Sequence, residues 1–276
     1  MISKFFLKKK NILALLSVIS GFILGGCTTV DPVTGLQTRN FYSLEQDVGI
    51  GSQVYDETLE EMRSRGVPVN EDQARVGQLQ EMVDRISAAS DLPDLPYEVS
   101  LIQTNIVNAM AAPGGKIMVY EGLWDPEKGL AKDEDEIAAV IAHEIAHVNA
   151  RHSTEAMTRA LPVNILATVG VIAAKDTDYE RFAQIVAAGG LFLYNGIWMT
   201  RYSRENELEA DAVGLMYMAK AGYDPRAAIR IWERADQQRA GNDPAASIFS
   251  THPPDATRLA ALRAQLLQAM SVYQNR

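Results

Sequence analysis

A chain of 276 residues with 35 acidic and 26 basic side chains carries a net charge of −9, which excludes recognition of nucleic acid through phosphate neutralisation. A hydrophobic share of 47% is that of a protein with a packed core, and a lone cysteine, Cys27, excludes a disulfide within the chain. The length suits one domain of ordinary core size, with or without a small appendage.

Residues 1–26 read as an export signal: Lys4, Lys8, Lys9 and Lys10 precede an apolar run from Ile12 to Leu24. The run ends Leu24-Gly25-Gly26-Cys27, and small residues before a cysteine resemble a bacterial lipobox, whose cysteine is acylated and becomes the first residue of the mature chain. The competing reading is an uncleaved anchor with an incidental cysteine, which so short an apolar run fits less well. Thr28 rather than aspartate follows Cys27, the outer-membrane sorting pattern if the host is Gram-negative. Removing residues 1–26 takes away four lysines and no acid, so the remainder carries −13. Residues 27–40, rich in turn formers, read as a tether between lipid and domain. The expected catalytic domain is 41–276.

Helical periodicity follows at about 43–65 and 71–90, with Val76, Leu79, Met82, Val83 and Ile86 on one face. Strand patterns then appear at Tyr97-Glu98-Val99-Ser100-Leu101 and at Lys116-Ile117-Met118-Val119-Tyr120, the second entered through the turn Pro113-Gly114-Gly115. A sheet edge there would either hold substrate backbone or form an ordinary hairpin.

Val140 to Val148 reads V-I-A-H-E-I-A-H-V. Four-residue spacing puts His143 and His147 on one helix face, where both imidazoles can bind one zinc ion, and Glu144 can reach a water in the open coordination position. The flanking Ile137, Ile141 and Ile145 make this helix apolar, and buried histidines of that kind need a partner. Asp133, Glu134, Asp135 and Glu136 suit the start of a helix. His152, five residues beyond His147, is expected to point away from the ligand face.

Two apolar stretches, 161–174 and 182–199, follow and are expected to pack over the cleft as a lid that also touches the membrane surface, with membrane-spanning helices as the alternative. Ser203 to Asp211 then reads S-R-E-N-E-L-E-A-D. Glu207 and Asp211 share a helix face, so Glu207 can be the third zinc ligand while Asp211 reaches the far nitrogen of a zinc-bound histidine. Glu205 and Glu209 are expected to be solvated. Tyr202 and Arg204 are candidates for carbonyl polarisation. Helices are predicted at about 205–221, 225–239 and 254–272, and His252 precedes the last of them.

The blocks N-A-M-A-A-P-G-G at 108–115, H-E-I-A-H at 143–147, S-R-x-x-E-x-E-A-D at 203–211 and T-H-P-P at 251–254 resemble the zinc endopeptidase family that includes HtpX-like and CAAX prenyl proteases. They are similar in particular to its periplasmic lipoprotein branch of LoiP-like and BepA-like proteins. The resemblance covers about 40–265 and departs at Met110-Ala111-Ala112, where relatives often carry an aromatic residue.

It implies an α+β fold, mostly helical and zincin-like, with a small sheet beside the H-E-x-x-H helix. It further implies one zinc per chain on His143, His147 and Glu207, with Glu144, Asp211 and His252 as catalytic residues. His252 would then bond an oxyanion or occupy the open zinc position as a latch. The implied substrates are misfolded or stalled envelope proteins, cut at the periplasmic face of an outer membrane to which Cys27 anchors the enzyme, with the outer-membrane assembly machinery as a partner. A chaperone-like binding role and a zinc hydrolase of non-peptide bonds are the alternatives.

Overall fold

Ser43 begins the first long helix through a capping box, its hydroxyl accepting from the Gln46 amide while the Gln46 side chain accepts from the Ser43 amide. The computed structural model describes residues 28–160, 202–240, 252–253 and 256–276. Residues 1–27, expected as an export signal ending at Cys27, and the apolar stretches 161–174 and 182–199 lie outside them. Among the described residues no helix is long and apolar enough to cross a membrane.

The described residues fall into two compact units. In the smaller, β1 (Thr28–Val30) pairs antiparallel with β2 (Gln37–Arg39), so the segment expected as a tether carries a two-stranded ribbon. There Asn40 donates to the Thr154 hydroxyl at 2.9 Å, and the Phe41 amide to Thr158 at 3.0 Å.

The larger unit holds the rest. In α1 (Leu44–Ser64), Asp47, Gly51, Tyr55 and Leu59 recur every four residues and are buried. Asp72 caps α2 (Gln73–Ser87), which buries Leu79, Met82, Val83 and Ile86. The three-stranded sheet has β5 (Lys116–Tyr120) at its centre, parallel to β3 (Glu98–Ile102) and antiparallel to the edge strand β4 (Ala109–Ala112). The two strands read from sequence are therefore neighbours in a parallel pair, and the hairpin joins β4 to β5.

Period-two alternation sends Ile117 and Val119 into the main core, while Met118 and Tyr120 pack with Tyr55 and Leu59 of α1. The hairpin turn is built for close approach. Gly114 has φ 74°, and a Cβ there would fall 2.4 Å from the Val48 Cα.

At the centre lies α3 (Glu134–Asn149), buried at every position from Glu136 onward. Asp133 caps it. Glu136, in its first turn, accepts from Arg230 at 3.0 Å and Arg234 at 2.7 Å, tying α3 to α5 (Arg226–Ala240). A capping box at Ser203 and Asn206 starts α4 (Arg204–Ala221), which ends on Gly222 at φ 90°. The last helix is α6 (Ala256–Gln274). The result is the expected α+β fold, mostly helical with a small sheet against α3.

Candidate metal centre

His143 and His147 project from α3 as the spacing requires, and their Nε2 atoms come within 3.0 Å of each other. Glu207, in the first turns of α4, closes the group, with Oε2 3.5 Å from His143 Nε2 and Oε1 3.5 Å from His147 Nε2. A small residue makes this approach possible. A Cβ on Gly214 would already stand 3.0 Å from the Ala142 carbonyl and the His143 amide nitrogen, so α4 rests directly on the α3 backbone.

His252 joins from the chain segment before α6, its Nδ1 3.0 Å from Glu207 Oε1 and 3.2 Å from His143 Nε2. All four side chains are buried, and together they could hold a metal ion. The donor set fits zinc. Ligand bonds of about 2.0–2.1 Å in a tetrahedron place donor atoms roughly 3.3 Å apart, the scale of these separations.

Glu144 is 1% exposed. Its Oε1 lies 3.4 Å from His252 Nε2 and has no hydrogen-bond partner among the described residues. Burial pushes its carboxyl above the ordinary range, against the opposing pull of His252 and His143.

Around the cluster the charges are arranged unequally. Burial alone would lower the His143 pKa, but the carboxylates of Asp211 and Glu207 outweigh it and lift His143 to about 9. Asp211 Oδ1 stands 3.1 Å from His143 Nδ1. Burial holds His147 well below its ordinary value, and so neutral. Burial would raise the Glu207 and Asp211 carboxyls. His252, His143 and His147 nevertheless hold Glu207 far below the carboxylate range, and Arg258 lowers Asp211.

Sequence reasoning missed Arg258. Its guanidinium, 3% exposed, spans both acids: Nη1 is 2.7 Å from Glu207 Oε2, while Nε and Nη2 are each 2.7 Å from Asp211 oxygens. It also lies 4.1 Å over the Trp232 ring. The available signal was a single arginine six residues beyond His252 on an otherwise apolar helix face.

Two other expectations are corrected. His152 does not point away, because its Nδ1 lies 2.8 Å from His147 Nδ1. Glu209 is not a free surface charge, because Oε2 reaches His152 Nε2 at 3.4 Å. Tyr202 stacks on His147 with ring centroids 4.0 Å apart and pairs its hydroxyl with Ser153 at 2.8 Å.

Comparison with known proteins follows the same lines. The profile of peptidase family M48 matches residues 73–266. The chain is similar to the mitochondrial metalloendopeptidase OMA1 of Schizosaccharomyces pombe, with 34% identity over 242 residues, covering 86% of this chain and 66% of that protein. It is also similar to OMA1 of Arabidopsis thaliana, 34% identical over 68% of this chain and 36% of the relative. The beta-barrel assembly-enhancing protease of Escherichia coli K12 is 27% identical over 236 residues, 84% of this chain and 46% of its own length. The chain thus spans between about a third and two thirds of the length of these relatives.

Proposed function

The chain belongs to peptidase family M48, a family of zinc metallopeptidases, and we propose that it is an endopeptidase whose zinc is held by His143, His147 and Glu207. The observation that carries this reading is the convergence of those three side chains beside a buried, unpartnered carboxylate oxygen of Glu144. Zinc bound there would polarise the scissile carbonyl and bring the pKa of a water down to about 7.

The rest is work for the protein's own groups. Glu144 takes the proton of the attacking water at its free oxygen and delivers it to the leaving amine. Asp211 keeps the proton of His143 on Nδ1, leaving Nε2 free to ligate, and Arg258 holds Glu207 and Asp211 in place. His252 sits between Glu144 and Glu207, where substrate and water would have to enter, so the enzyme is latent until His252 withdraws.

The substrates are misfolded or stalled proteins of a bacterial cell envelope. The similarity to beta-barrel assembly-enhancing proteases supports this, as does the export signal with its acylatable Cys27, which would anchor the enzyme in the outer membrane beside the assembly machinery. The similarity to mitochondrial endopeptidases shares the chemistry but a different compartment.

Casein cleavage and zinc content of the purified full chain test the reading. Glu144→Gln is expected to lower turnover by about 10²–10⁴-fold with zinc retained near one per chain. Activity near wild type in that variant would sink the assignment. His252→Ala is expected to raise cleavage, whereas a fall would make His252 an oxyanion donor instead of a latch.

A further inference from the structure

His152 is 1% exposed and lies three residues beyond the end of α3. Were α3 to continue, a residue five positions beyond His147 would stand about 140° around the helix from it. The chain instead turns at Arg151, a non-glycine residue with φ 55°, a left-handed conformation that costs about 1–2 kcal/mol. A buried ion pair holds it there, Arg151 Nε and Nη2 meeting the Asp47 carboxylate of α1 at 2.6 and 3.1 Å. The turn folds His152 back until its Nδ1 is 2.8 Å from His147 Nδ1.

One arrangement of protons satisfies every contact. With His147 Nε2 facing the other ligands, its proton is on Nδ1 and must be accepted by His152 Nδ1. The His152 proton is then on Nε2, directed at Glu209 Oε2 3.4 Å away, on a side chain that is 28% exposed. We infer that His152 is a positioning residue for the metal centre, fixing the orientation and tautomer of His147 by a hydrogen-bond relay that ends on Glu209. This rests on the assignment of His147 as a ligand. His143 faces a buried carboxylate, whereas His147 faces an imidazole whose own partner is a partly exposed carboxylate.

The test is the zinc dissociation constant of the full chain, measured by competition with a chromogenic chelator. The visible absorption of the cobalt(II)-substituted protein is a second readout of ligand geometry. His152→Ala is expected to weaken zinc binding about 10–100-fold and to shift the cobalt spectrum. His152→Asn, whose amide oxygen can accept from His147 Nδ1, should recover most of the loss, and Glu209→Gln should weaken binding by more than about twofold but less than about tenfold.

A folded His152→Ala protein that binds zinc within twofold of wild type, while Glu207→Gln does not, overturns the relay and leaves the ligand assignment standing. Wild-type zinc affinity in Glu207→Gln overturns the assignment itself. If His152→Ala fails to fold, Glu209→Gln decides, because an unchanged dissociation constant there overturns the relay.

Discussion

The two histidines of α3 sit one turn apart with their Nε2 atoms nearly touching, yet their outer nitrogens meet opposite environments. Glu207 stands 3.5 Å from both inner nitrogens, but behind His143 the structure buries the Asp211 carboxylate with Arg258, at 2% and 3% side-chain exposure. On the His147 side it stacks Tyr202 on the ring and continues outward through the His152 imidazole to the partly exposed Glu209 carboxylate. A charge can be buried beside a metal centre only if an opposite charge is buried with it, so the His143 side needs Arg258 and the His147 side does not.

Removing the compensating charge should therefore hurt most. Arg258→Ala removes the guanidinium that spans the buried Glu207 and Asp211, leaving only the histidines to balance them, and is expected to cost about 3–5 kcal/mol, read by chemical denaturation of the zinc-free protein. A cost under about 1 kcal/mol would mean that the two sides are not electrostatically distinct.

Gly214→Ala is the next largest. It wedges a methyl group against the α3 backbone at 3.0 Å and should cost about 1–3 kcal/mol. Because it displaces Glu207 and Asp211 from His143 while leaving the His147–His152 contact in place, zinc affinity should fall with the cobalt spectrum of the variant reporting a changed carboxylate ligand.

A smaller effect comes from protons. In the zinc-free protein His143, lifted to about 9, carries a proton at neutral pH, and His147 does not. Zinc must displace that one proton, so affinity should fall about tenfold, or 1.4 kcal/mol, for each unit of pH below 9. Calorimetry at pH 7 in buffers of different ionisation enthalpy should count about one proton released per ion. A count near zero or two would erase the difference between the histidines.

The fold and the site were legible in the sequence to different depths. Helices α1 to α6 follow from apolar periodicity and from caps such as Ser43, Asp72, Asp133 and Ser203, all of which act within a turn of chain. The parallel pairing of β3 with β5 was not legible, because alternation marks a strand without naming its neighbour. Glu207 and Asp211 stood out through their spacing together with a family resemblance, but neither could be placed against His143 by counting residues.

His152 was misread for a definite reason. The helical count assumes that the helix goes on, and the left-handed turn at Arg151 is stabilised by Asp47, a residue 104 positions away. Arg258 was invisible because its role is set by two acids 47 and 51 positions earlier, which only a closed interior forces it to neutralise.

The sequence by itself determined the reactive pair of histidines and the glutamate between them, since four-residue spacing on a helix is a local property that survives any packing. It also determined the helical class of the chain, its acidic balance and its single cysteine. Tertiary structure alone decided which nitrogen of each histidine faces inward, what lies behind it, and that His252 fills the space beside Glu144. Those are consequences of desolvation: once α3 is buried, every proton and charge on it must find a partner among side chains that arrive from elsewhere in the chain.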